Sequence, residues 1–268
     1  MGHRSERTAL FLRTYHRDVT WLGYALAAIE RWCHGFAEVV VVTPRTGSAA
    51  VRRAVGGGVR LLVCPDFRDD YLGQQVTKLY ADECTDAGLI CHVDSDVVFT
   101  RPVSPADLLD AGGRPWIVRR AVSRLGRHRP WLAPTEEFLG RPVAHDFMQQ
   151  PPFTYPRQLY PQVRALCLER HGMPLDRYVA GRPPRGFSEF NVLGAHAYAA
   201  HRAEFAWYDT DADAARVPRL CRWYWSRGGI DAALRRELEE VTGWYGARVT
   251  TDPILSHPGG ARPDDPCH

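Results

Sequence analysis

The sequence predicts an α/β fold, a mostly parallel central sheet with helices on both faces. Three observations carry this. Over residues 1–110, short apolar runs alternate with segments of helical periodicity. The runs are apolar throughout rather than at every second position, as strands covered on both faces are. The fourth run ends on an acidic pair, in "GLICHVDSD", where ligands of such sheets gather.

Each element follows from its local pattern. "TALFLRT" (8–14) is a short strand. "VTWLGYALAAIERWC" (19–33) places Trp21, Leu22, Ala25, Leu26, Ile29 and Trp32 at helical spacing. "AEVVVVTP" (37–44) is β-branched and stops at proline. A short helix (48–55), a triple-glycine turn and the strand "VRLLVCP" (59–65) follow. "GQQVTKLYADECT" (73–85) is an amphipathic helix, and "GLICHVD" (88–94) is the fourth strand. After residue 110 the pattern loosens. "WIVRRAV" (116–122) reads as a strand, and residues 123–157 have no clean period. "QLYPQVRALCLERHG" (158–172) is a helix, and "GRPPRGFSEFNVLGAHAYAAH" (181–201) runs from a loop into an apolar segment. "GGIDAALRRELEEVTG" (228–243) is the clearest helix, with Asp231 at its start. The tail after it reads as loop. The organisation expected is one domain over residues 1–268: a nucleotide-binding half (1–110), then an acceptor-binding half and tail (111–268).

The totals narrow the function classes. The chain has 268 residues, 45% apolar and 24% charged, ordinary values for a globular protein. A net charge of +3 is too weak to argue for nucleic acid and suits an anionic small molecule. The seven cysteines form no CxxC pair, which argues against a zinc knuckle or a disulfide framework. The first residues lack the apolar core of a signal peptide, and no run approaches the roughly 20 residues of a membrane span. The expectation is a cytoplasmic protein.

Carboxylates two residues apart at a strand end can face one space once the chain bends. Asp94 and Asp96 then offer hard oxygen donors to Mg²⁺ or Mn²⁺, which completes its shell with substrate phosphates. The pattern "DTDADAARVPRL" fails as a calcium loop, because Ala214 and Leu220 stand where glycine and glutamate are needed.

"HVDSDVVFTRPVSPADLL" resembles the Asp-x-Asp region of GT-A glycosyltransferases. Upstream, "QVTKLYADECTDAGLICHVDSDVVF" is similar to the lysine-bearing helix and strand of glycogenin-like transferases. Downstream, "SEFNVLGAHAY" resembles their Phe-Asn-x-x-Gly element. Most of the chain is similar to a bacterial family of GT-A-like glycosyltransferases with the pattern TYHRD…DSD…FSEFN. The resemblance implies a GT-A (Rossmann-like nucleotide-diphospho-sugar transferase) fold, with a nucleotide-diphosphate sugar, foremost a UDP-sugar, as donor. It also implies that Asp94 and Asp96 bind Mn²⁺ or Mg²⁺, with Asp94 nearer the ribose, and that His257 in "ILSHP" is a third ligand. Thr14 and Tyr15 would hold the base, Tyr15 by stacking. Lys78 would lie near ribose or phosphates, and Asn191 would contact donor sugar or acceptor.

The catalytic carboxylate is sought among two. Glu189, between Phe187 and Phe190, sits in an apolar setting that suits a general base, although the first turn of a helix after Ser188 would equally favour it. Asp231 is the second, and it also makes a good helix cap. Arg119, Arg120 and Arg185 could hold phosphate or an acidic acceptor. The aromatic residues Trp207, Tyr208, Trp223, Tyr224 and Trp225 could stack on sugar or simply fill the core. The alternatives are a haloacid-dehalogenase-like phosphatase, in which the first Asp is a nucleophile, a nucleotidyltransferase on a GT-A-like fold, and a non-catalytic sugar- or nucleotide-binding protein.

Overall fold

The computed structural model describes residues 7–126 and 129–245. The chain begins with β1 (Thr8–Arg13), α1 (Val19–Trp32), β2 (Glu38–Pro44), α2 (Ser48–Ala54), β3 (Val59–Cys64), α3 (Asp70–Lys78), β4 (Leu89–His92) and β5 (Val97–Phe99). It continues with β6 (Trp116–Ala121), α4 (Leu132–Leu139), β7 (His145–Asp146), β8 (Phe153–Pro156), α5 (Leu159–His171), α6 (Leu175–Ala180) and α7 (Glu189–Ala200). The last elements are β9 (Ala206–Asp209), β10 (Cys221–Trp223) and α8 (Ala232–Thr242).

The central sheet has the order β3-β2-β1-β4-β8. Its first four strands are parallel, and β8 closes the edge antiparallel to β4, with Leu89 opposite Pro156. The expected α/β class and mostly parallel sheet are present, and β8 joins the second half of the chain to the sheet of the first. Successive side chains of β1 point to opposite faces. Phe11 joins a core built with α3, α5, α6 and α7, whereas Leu10 and Leu12 join one built with α1, α2 and α8. Both faces are therefore covered, which is why every residue of β1 is buried.

The helix α8 and the residues just after it pack on α1. The indole of Trp244 lies against Gly23, where an added Cβ would come within 2.5 Å of it. Trp32 donates its indole N–H to the carbonyl of Val241 at 3.0 Å. Two smaller sheets complete the fold, β10-β5 and β7-β6-β9. The β10-β5 pairing, with Trp223 opposite Val97, carries the chain after β10 onto the segment that follows β4.

Candidate functional site

In a parallel sheet the strand order reverses at β1, which has β2 on one side and β4 on the other. In such sheets the loops leaving the two strands that flank a reversal part to opposite faces, and the crevice outside their carboxyl ends is where ligands bind. Thr14 follows β1, and Asp94 lies two residues past β4. The loops are stitched together. Thr14 donates its backbone N–H to Val42 at 2.9 Å, and Ser95 donates its hydroxyl to Thr14 Oγ1 at 2.9 Å. The segment between the two aspartates turns sharply, with the N–H of Val97 on the carbonyl of Asp94 at 3.0 Å.

Asp94 faces inward. Its Oδ1 lies 2.7 Å from Lys78 Nζ, and the same ammonium donates to Glu189 Oε1 at 2.9 Å. Local structure sets this up. Asp69 caps α3, accepting from the backbone N–H of Tyr71 at 2.9 Å, so the helix starts at Asp70 rather than at residue 73. Lys78 ends it and is only 3% exposed. Glu189 is the first residue of α7 and is 4% exposed. Burial alone would push the Lys78 pKa down, but the charges of Asp94 and Glu189 outweigh it and hold the pKa above its ordinary value. The ammonium also sits 4.8 Å from the centre of the Phe190 ring. His92 at the end of β4 is held neutral, its pKa driven well down by burial and by Lys78, and its Nε2 is 2.6 Å from the Tyr160 hydroxyl.

Asp96 has different partners. Its Oδ2 accepts the backbone N–H of Ser226 at 2.9 Å, and its carbonyl accepts that of Tyr224 at 2.8 Å. Burial, then the charge of Asp94, raises its pKa to about 6. Asp18 is raised in the same way, by burial first and then by Asp70 and Asp94. Arg13, also buried, donates to Asp70 Oδ2 at 2.9 Å. The crevice thus concentrates carboxylates around two buried cations.

Two carboxylates that repel each other while partly desolvated are a setting a divalent cation relieves. Asp94 keeps one oxygen without a hydrogen-bond or ion-pair partner among the described residues, whereas Asp96 takes both the backbone N–H and the hydroxyl of Ser226. Among those residues no group of three or more His, Cys, Asp or Glu could hold a metal. Two carboxylates are what the protein would bring to a divalent cation here, and the remaining ligands would have to come from substrate phosphate and water.

The other expected residues fare unequally. Tyr15 is half-buried, its ring 4.3 Å from that of His16, which in turn packs on Gly47. Gly47 has φ +81°, and any side chain there would strike His16. Glu189 is near the crevice, but the apolar setting expected for a base contains the Lys78 ammonium. Its carboxylate is engaged there, and Ser188 at the N-cap position accepts from Asn191 instead of capping the helix. Asn191 is buried and committed to the fold, accepting the N–H of Phe147 at 2.7 Å and donating to Ser188 at 3.1 Å. Asp231 is exposed and caps α8, accepting the N–H of Leu234 at 2.8 Å, a structural task. Arg119 lies over the Tyr198 ring, and Arg120 pairs with Asp211. His257 lies outside the described residues.

Sequence reasoning missed Asp18, the Arg13–Asp70 pair and Ser226. It also undervalued Lys78, for which a plain signal exists. Of the 34 Lys+Arg, Lys78 alone is lysine, leaving 33 arginines. A compact ammonium donates in three directions and can serve two carboxylates at once, which a flat guanidinium does less readily in a closed space. No protein-family model matches this chain, and no curated protein matches it.

Proposed function

We propose that this protein is a glycosyltransferase that moves a sugar from a nucleotide-diphosphate donor, foremost a UDP-sugar, to a hydroxyl acceptor. The single observation that carries the reading is the pair Asp94 and Asp96 just past the carboxyl end of β4 and beside that of β1, one buttressed by the buried Lys78–Glu189 pair and the other held by Ser226. In the reaction the bond from the anomeric carbon to the phosphate oxygen breaks, the acceptor oxygen takes its place, and the acceptor's proton passes to a departing phosphate oxygen or to water. A divalent cation, when bound, neutralises the departing diphosphate. Asp94 and Asp96 would hold it. Lys78 fixes Asp94 and adds positive charge at the inner wall, favouring the anionic leaving group. Glu189 positions Lys78 and is too enclosed to take the acceptor's proton directly. Tyr15, half-buried and directly after Thr14, would offer its ring to the base.

Calorimetry tests the reading. Wild-type protein should bind UDP in the presence of Mn²⁺, and Asp94→Ala with Asp96→Ala should weaken that binding beyond the roughly 10- to 100-fold that loss of an outer-sphere partner costs. Unchanged binding by the double variant would sink it. Hydrolysis of an aryl phosphate, lost in Asp94→Asn, would instead favour the dehalogenase-like alternative.

A further inference from the structure

The loop that leaves β10 reads Trp223-Tyr224-Trp225-Ser226. Trp223 and Trp225 stack with centroids 4.5 Å apart and planes 13° apart. Trp225 is 61% exposed, a large value for an indole in a folded chain. One of its faces rests on Trp223, so the other is presented to solvent. The pair hangs directly on the site. Trp225 stands between Tyr224, whose N–H binds the Asp96 carbonyl, and Ser226, whose N–H binds the Asp96 carboxylate. Trp223 is held from behind by the β10-β5 pairing, and Tyr224 is anchored by its hydroxyl to Glu237 at 2.8 Å.

We propose that the free face of Trp225 is a sugar-binding shelf, a subsite for a pyranose ring of the acceptor. A flat apolar surface of this size complements the face of a pyranose on which C–H bonds gather, and the second indole behind it keeps that surface rigid before any ligand arrives. Among the described residues, the carboxylate behind Tyr224 is already engaged, since Glu237 accepts from both Tyr224 and Arg222. Edge readout of a nucleobase needs free donors and acceptors, whereas a sugar laid on its C–H face turns its hydroxyls outward to water. The shelf rests on the glycosyltransferase reading for its role as acceptor subsite, but its affinity for a pyranose does not.

Saturation-transfer NMR on the full chain tests it, with methyl α-glucoside, methyl α-galactoside and methyl α-mannoside as probes at millimolar concentration and without metal. At least one glycoside should receive saturation at its ring C–H protons. Trp225→Ala should weaken the effect by about three- to tenfold, and Trp225→Phe should retain part of it. Circular dichroism should show both variants folded, because the side chain is exposed. Calorimetry with UDP and Mn²⁺ should give the same affinity for wild type and Trp225→Ala. Saturation of no probe, or equal saturation of wild type and Trp225→Ala, overturns the shelf. A loss of UDP affinity in Trp225→Ala as large as the loss of glycoside binding assigns the indole to the base and overturns it as well. If glycosides bind through Trp225 while UDP and Mn²⁺ do not bind wild type, the shelf stands and the transferase reading falls.

Discussion

Asp94 and Asp96 are the same residue type two positions apart, yet the protein treats them in opposite ways. The inner one meets a full positive charge, the ammonium of Lys78, which Glu189 shares. The outer one meets the N–H dipole of Ser226 and is left with a pKa of about 6. The difference teaches what a partner does. Both carboxylates are half-buried, but one is matched by a full charge and the other by dipoles that leave part of its desolvation uncompensated.

The sharpest way to break this contrast is to remove the shared cation. Lys78→Met leaves Glu189 buried and unpaired and should cost about 3–5 kcal/mol in urea unfolding. Lys78→Met with Glu189→Met should recover part of that loss. A cost below about 1 kcal/mol for the single change would show that the inner wall is not held by charge.

The outer aspartate should reveal itself through pH. Its folded pKa, about 6, lies above the ordinary 3.8, so the folded state binds its proton more readily than the unfolded chain. The stability it contributes is complete below the ordinary value and disappears as the pH climbs through about 6. The gap between those two values caps the contribution at about 3 kcal/mol, and the cap is lower for a side chain that still touches water. Metal-free unfolding of wild type minus Asp96→Asn should therefore show a downward slope between pH 4 and 6. Superimposable curves for the two proteins would place the outer carboxylate in a more aqueous setting than burial suggests.

The smallest effect is expected furthest from the pair. Asp231→Ala removes a helix cap and should lower stability by about 1 kcal/mol while leaving UDP and Mn²⁺ affinity unchanged. A clear drop in that affinity would return Asp231 to the reacting groups.

The parallel half of the fold was legible because its signals are local. The first four strands and α1 fall within a residue or two of their expected positions, since each is an unbroken apolar run or a clean helical repeat. The strands β5, β7, β8, β9 and β10 were not foreseen. They are two to four residues long and exist through pairing with distant partners, as when Phe153–Pro156 adds to β4. The helix α4 was hidden by Pro134, which sits harmlessly in its first turn. At the site, the carboxylate pair could be read from its place after a strand. The link from Lys78 to Glu189 could not, since it joins residues 111 apart whose meeting depends on two helices crossing the same face.

The seam between α1 and α8 bears on how the molecule comes into being. During synthesis the first helix leaves the ribosome some 200 residues before Val241 and Trp244, which cover its outer flank. Until then Trp32 lacks its carbonyl partner and Tyr24 the indole 4.9 Å away. The nascent amino-terminal half must therefore wait with a greasy flank uncovered, a natural foothold for a chaperone, and the arrival of α8 ends that wait.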